Sequence, residues 1–172
     1  MKVQYQIFIT ILFLGYSAQL SYAKLKDDTQ NFQAICVDPQ NTIWVGTSQG
    51  LYYWNSSELK KLKFDSLLNV TEIFSYQNHL LIGTSKGEIF KYSIIEDKFQ
   101  YEANLSSAIS KITCLANTIY IATKGNGLFA INQSRIAHYT KRKGLNDNYL
   151  YQIAQDSIGQ LWIASDNALN VI

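Results

Sequence analysis

The sequence predicts an all-β chain assembled from copies of one sheet, and three observations predict it. Tyr (12), Phe (8) and Trp (3) are plentiful while Pro occurs once, a mixture that suits a pleated surface. Segments of similar pattern recur four times between Phe32 and Ile172. Each copy is a series of short apolar or alternating runs bounded by Gly, Asn, Asp and Ser, the signature of strands and turns. A hydrophobic fraction of 47% with 16% charged residues belongs to a globular chain with a real core.

The N-terminus is a separate object. Lys2 supplies a positive start, Ile7 to Gly15 an apolar run, and Ser21-Tyr22-Ala23 a small-x-small site, which together predict a signal peptide over residues 1–23 cleaved after Ala23. The apolar run is shorter than the ~20 residues that span a bilayer, and no Cys near the cleavage site offers a lipid anchor. Without Lys2, 14 basic residues face 13 acidic ones. A near-neutral chain lacks the basic stripe of a nucleic-acid binder; Lys60-Lys61-Lys63 and Lys141-Arg142-Lys143 read as solvated turns and edge strands, where Lys discourages stray pairing. Cys36 and Cys114 lie in apolar strand segments of different copies, and the reading is two inert core thiols, with no disulfide.

Residues 24–31 form a polar lead-in, and four units come after it. They begin at FQAICVDPQNTIWVGTSQGLYYW (Phe32–Trp54), VTEIFSYQNHLLIGTSKGEIFKY (Val70–Tyr92), ISKITCLANTIYIATKGNGLFAI (Ile109–Ile131) and YLYQIAQDSIGQLWIASDNALNVI (Tyr149–Ile172). Superposed, Ile35, Ile73, Ile112 and Ile153 coincide, as do Gly46, Gly83, Ala122 and Ala164, then Thr47, Thr84, Thr123 and Ser165. The small residues are 37, 39 and 42 positions apart, close to the period of about 40–50 that marks propeller blades.

Within a blade the pattern predicts an innermost strand, a second strand covered on both faces, a third (Leu51–Trp54, Glu88–Ile94, Leu128–Ile131) and an outer one (Lys60–Phe64, Lys98–Tyr101, Arg135–Tyr139). Blades are expected at 32–64, 70–102, 109–140 and 149–172, the fourth without its outer strand. Gly46, Gly83, Ala122 and Ala164 would let a neighbouring sheet approach closely; Gly50, Gly87 and Gly127 turn the second strand into the third. Asp38 and Asp156 end innermost strands, where their carboxylates can accept bonds from turn N–H groups. The second and third copies lack that Asp and have a turn one residue shorter, around Asn78 and Asn117, so those turns must differ in type.

Asp156, Gly159, Leu161-Trp162-Ile163-Ala164-Ser165 and Asp166-Asn167-Ala168-Leu169-Asn170 resemble the two-component regulator propeller repeat, as do Asp38, Ile43-Trp44-Val45-Gly46-Thr47 and Gly50-Leu51. Gly144-Leu145-Asn146-Asp147-Asn148 resembles that family's link between blades. The resemblance implies the periplasmic sensor region of a bacterial membrane histidine kinase or hybrid two-component protein, sensing cues that often derive from glycans. It also implies a larger seven-bladed ring, with a transmembrane helix and kinase in further C-terminal segments through which membrane attachment and any homodimer would arise. The expectation is accordingly a non-catalytic, exported sensing or interaction propeller at the periplasm or cell surface, here as an N-terminal fragment. The alternative is a free envelope scaffold binding protein partners.

No catalytic constellation accompanies the repeats. Gly125-Asn126-Gly127-Leu128-Phe129-Ala130 fits G-x-G-x-x-A, but the residues after Gly127 alternate as strands and open no helix, so no dinucleotide or other cofactor is expected. His79 and His138 are isolated, giving no metal site; Asp27-Asp28 and Glu96-Asp97 read as solvated turns. The N-x-S/T triplets at Asn55, Asn69, Asn104 and Asn132 are incidental in a bacterial chain. Trp44 and Trp162 share one repeat position and are assigned to packing between blades. The ligand candidates are Tyr149 and Tyr151, at the entry to an innermost strand, because loops at that end often carry function.

Overall fold

Four antiparallel sheets are laid side by side. The computed structural model describes residues 31–54, 58–63, 68–133 and 135–172; the expected signal peptide, the lead-in through Gln30, the Asn55 triplet and Phe64 lie outside them. Blade 1 contains β1 (Phe32–Val37), β2 (Ile43–Thr47), β3 (Gly50–Trp54) and β4 (Leu59–Lys61), paired in that order. Blade 2 repeats it with β5 (Val70–Tyr76), β6 (His79–Thr84), β7 (Glu88–Ser93) and β8 (Lys98–Asn104). Blade 3 consists of β9 (Ile109–Leu115), β10 (Thr118–Thr123), β11 (Leu128–Asn132) and β12 (Arg135–Tyr139), and blade 4 of β13 (Leu150–Gln155), β14 (Leu161–Ser165) and β15 (Leu169–Val171). A 3-10 turn at Lys141–Lys143 links the last two blades. The architecture is an all-β propeller arrangement with three four-stranded blades and one of three strands.

Each blade meets the next through residues that alternate sides along the strands, because successive side chains point to opposite faces. From blade 1, Trp44 and Leu51 enter a core with Val70, Ile73, Leu80, Ile82 and Phe90 of blade 2. Leu81 and Ile89 of blade 2 meet Ile109, Ile112, Ile121 and Phe129 of blade 3. Ala122 and Leu128 of blade 3 meet Leu150, Ile153, Leu161 and Ile163 of blade 4. Burying each such Ile or Leu fully contributes about 1.5–3 kcal/mol. Packing of this kind joins β1 and β2 to β5, β5 and β6 to β9, and β9 and β10 to β13. Among the described residues it is not repeated between blade 4 and blade 1, so the blades form an open arc.

The small residue of the second strand is the contact point. A Cβ on Gly46 would lie 2.6 Å from Val70 Cγ1, and one on Gly83 would lie 2.5 Å from Ile109 Cγ2. Both partners are β-branched and stiff at χ1, so they cannot swing away. At the third junction the small residue is Ala122, and the position equivalent to Val70 and Ile109 is Leu150, which shares its core and has an unbranched Cβ.

The turns after the innermost strands differ in type as expected. Blades 1 and 4 enclose five residues between Val37 and Ile43 and between Gln155 and Leu161. Each places a positive φ at the fourth position after the strand, Asn41 (64°) and Gly159 (87°). Blades 2 and 3 enclose two, Gln77-Asn78 and Ala116-Asn117. The latter pair has φ of 47° and 63°, the double positive φ of a tight hairpin whose twist matches its strands.

Three expectations need correction. Cys36 and Cys114 are free but half-buried, because the margins of these sheets stay open where a neighbour does not reach; burial still pushes the Cys36 thiol up. Trp44 is buried between blades, its ring 5.6 Å from that of Tyr53 in a tilted contact and 5.6 Å from that of Tyr92 edge-on, but Trp162 is 37% exposed, since among the described residues no blade covers that side of blade 4. For the same reason β14 is covered on one face only.

Candidate functional site

The recurring Asp anchors each long turn. Asp38 Oδ1 accepts from the N–H groups of Gln40 (2.9 Å) and Thr42 (2.8 Å), and Asp156 Oδ1 from those of Ile158 (3.0 Å) and Gln160 (2.8 Å). The second oxygen does something the sequence pattern alone does not disclose. The indole N–H of Trp44 donates to Asp38 Oδ2 at 2.8 Å, and that of Trp162 to Asp156 Oδ2 at 2.9 Å. This indole bond first, then the turn N–H groups, holds the Asp156 carboxyl below its ordinary range. The signal was an Asp and a Trp six residues apart in both well-formed copies.

At the opposite end of the blades the recurring hydroxyl closes the turn between second and third strands. Thr47 Oγ1 donates to Gly50 O (3.1 Å), Thr123 Oγ1 to Gly127 O (2.8 Å) and Ser165 Oγ to Ala168 O (2.7 Å). Gly87, with φ of 83°, is obligatory in blade 2: a Cβ there would lie 2.6 Å from the Ser107 amide nitrogen. Gly125-Asn126-Gly127 is such a turn. Its N–H groups at 125 and 127 donate to Asn148 O at 3.2 and 2.9 Å and β11 comes next, so these glycines serve the link to blade 4.

That link, Gly144 to Asn148, is fastened residue by residue and presents the ligand candidates. Leu145 is buried in the core of blades 3 and 4, the Asn146 N–H and side-chain amide donate to Asn170 Oδ1 at 2.8 and 3.0 Å, and Asn148 Oδ1 accepts from the Lys141 N–H at 2.6 Å. Asp147 Oδ1 accepts from the Tyr149 N–H at 2.8 Å and its Oδ2 from the Asn167 amide at 3.0 Å. Tyr149 thus enters β13 with its ring 5.2 Å from that of Tyr151, the planes at 60°. Tyr151 is 46% exposed and its phenol donates to Asp166, a bond that with desolvation pushes the phenol up to about 12. The structure therefore brings both candidate tyrosines together and adds Asp147, Asp166 and Asn167, which sequence reasoning missed because Tyr151 and Asp166 meet only after β13 and β14 pair.

The Asp147 carboxyl is held below its ordinary range, first by the Tyr149 N–H and then by the Asn167 amide, so at neutral pH it is an acceptor. Two adjoining aromatic rings beside carboxylates and a carboxamide can pack on an apolar face while accepting bonds from hydroxyl groups. The histidines stand elsewhere: His79 opens β6, and His138 stacks on Phe129 at 4.1 Å with a ring nitrogen 2.7 Å from Asn126 O. Asp97 accepts from the Tyr92 phenol at 2.7 Å. Among the described residues no three His, Cys, Asp or Glu side chains gather as a metal site, and no helix is long and apolar enough to cross a membrane.

Residues 27–49 and 144–167 match the family model described as two component regulator propeller. No curated protein sequence matches. Solved structures are similar throughout the described arc. The extracellular domain of a protein assigned as a hybrid two component system of B. thetaiotaomicron superposes with a TM-score of 0.76 at 18% identity, over 87% of this chain and 21% of that one. A second such domain from B. thetaiotaomicron gives 0.70 at 17%, over 82% and 23%. Virginiamycin B lyase from Staphylococcus aureus gives 0.69 at 17%, over 86% and 53%. At these identities the likeness is one of fold, and this chain spans about a fifth of the length of the two B. thetaiotaomicron domains.

Proposed function

This chain carries two component regulator propeller repeats, and from that premise we propose that it is the ligand-sensing part of an exported sensor protein, reading an extracytoplasmic cue without catalysing its conversion. The observation that carries the reading is the cluster on blade 4: Tyr149 and Tyr151 side by side, with Asp147, Asp166 and Asn167 around them. Its chemistry suits a sugar, whose C–H faces pack on aromatic rings while its hydroxyls donate to carboxylates. The extracellular domains to which the arc is similar supply the setting, and residues 1–23, read as a signal peptide, supply a route to it. Signal output, and any membrane span or kinase, would belong to segments other than those described.

The test is thermal denaturation of the purified chain with short neutral and acidic oligosaccharides. A saccharide that raises the midpoint in wild type and not in Tyr151→Ala or Asp166→Ala supports the reading. If none does so, or if the shift survives both substitutions, the cluster is not the site.

A further inference from the structure

Two cations flank the tyrosine cluster, at points fixed by the join between blades 3 and 4. Lys124 follows β10: its N–H donates to Ala108 O at 2.9 Å, and an antiparallel bridge sets it opposite Tyr149. Lys141 opens the 3-10 turn, with its N–H on Asn148 Oδ1 at 2.6 Å. The segment Asp147-Asn148-Tyr149 is therefore tied to one lysine through Tyr149 and to the other through Asn148. Both lysines are exposed. The charge of Lys141 reaches the cluster, since it adds to the Tyr149 N–H and the Asn167 amide in holding the Asp147 carboxyl down.

Acceptors and cations here are differently occupied. Each Asp147 oxygen already accepts from the protein, one from the Tyr149 N–H and one from the Asn167 amide, and Asp166 Oδ1 accepts from the Tyr151 phenol. Other lysines of blade 3 and its link are engaged: Lys111 Nζ with Glu72 at 2.7 Å, and Lys143 Nζ with His138 O at 3.2 Å. Among the described residues no carboxylate lies within ion-pair distance of Lys124 or Lys141. Their charges act over about 8 Å at 0.15 M salt, so a ligand seated on the tyrosine rings lies in their field.

We propose that this cluster takes an acidic oligosaccharide, one whose rings carry carboxylate or sulfate groups, and that Lys124 and Lys141 select the charge. The inference rests on the saccharide reading above and narrows it. A sugar face packs on the rings of Tyr149 and Tyr151, while anionic groups of the chain meet the two ammoniums. Lys is a compact point charge on a flexible stem, so it suits carboxylate and sulfate alike. A neutral saccharide keeps the ring packing and leaves both cations unmatched. Selection by charge at the rim of a site is sensitive to salt.

The experiment is isothermal titration of the full chain with oligouronides of three or four sugars, with their uncharged methyl esters, and with sulfated galactans of the same length. An acidic chain, carboxylated or sulfated, is expected to bind about 10-fold or more tighter than the uncharged ester in about 50 mM salt, a margin that shrinks in about 500 mM. Lys124→Met and Lys141→Met keep the stem and remove the charge; each should weaken the acidic chain about 5-fold and leave the ester unchanged. Lys98→Met, on the outer strand of blade 2, removes the same charge elsewhere and should change neither. Equal affinity for acidic and uncharged chains overturns the charge selection and leaves the saccharide site standing. So does a margin that survives the double lysine variant, or one that falls as far in Lys98→Met. If no chain binds, charged or uncharged, or if binding is unaffected by Tyr151→Ala, the site itself falls and this inference with it.

Discussion

Replacing Gly83 with Ala probes the closest approach between two blades. Its added Cβ would lie 2.5 Å from Ile109 Cγ2 and 2.6 Å from Ile109 Cβ, and Ile109 is fully buried. Overpacking of this kind costs about 1–3 kcal/mol, against which the stiffer unfolded chain returns about 0.4–1 kcal/mol. The net expectation is a loss of about 1–2 kcal/mol in urea unfolding, or a midpoint lower by roughly 2–8 °C at about 2–4 °C per kcal/mol. Ile109→Leu keeps the volume and should cost less than about 1.5 kcal/mol. The double variant copies the Ala122–Leu150 pairing that the next junction already uses. It should therefore be more stable than the sum of the single changes by about 1 kcal/mol, a coupling that a double-mutant cycle resolves. An additive cycle, or a neutral Gly83→Ala, would refute the idea that branching at the partner's Cβ decides between Gly and Ala.

Four further substitutions test the polar contacts. Glu72 of blade 2 accepts from Lys111 Nζ of blade 3 at 2.7 Å, with the Glu72 side chain 11% exposed and the Lys111 side chain 31%, and burial, only partly offset by Lys111, raises the Glu72 carboxyl. Lys111→Met should cost about 2 kcal/mol at pH 7 and raise that carboxyl further. A raised folded pKa means that stability is lost as pH climbs through it, so the deficit of the variant should shrink when melting is repeated near pH 4; a deficit independent of pH would count against the pairing. Asp38→Ala strands two turn N–H groups and a buried indole and should cost about 3 kcal/mol, more than Asp156→Ala, whose indole partner Trp162 is exposed. Because the folded carboxyl of Asp156 is depressed, the contribution of that residue is present above the ordinary Asp range and is lost as pH falls through the folded value, so Asp156→Asn should flatten the acid limb of the stability profile.

Much of the architecture was legible because a propeller blade repeats its own physics. Coinciding Ile, small residues and turn glycines located the strands, and the Asp in the first and fourth copies marked the long turns. Trp44 and Trp162 show where that reading stops. They share a position and an Asp partner, yet one is buried and the other exposed, because burial is a property of the neighbouring blade. Tyr149 and Tyr151 were selected by their place at a strand entry. Asp166 joined them only through the pairing of β13 with β14, and Glu72 met Lys111 only across a junction.

What the sequence determined alone is the unit: period, strand order and the chemistry of the turns, governed by contacts local to one blade, together with the small residues that repeat where one blade meets the next. What only the tertiary structure decided is which units have neighbours. Ile35 and Ile112 occupy the same place in the pattern, yet one is 72% exposed and the other 0%. Water is excluded by whatever packs against a strand, and that depends on the order of blades in space.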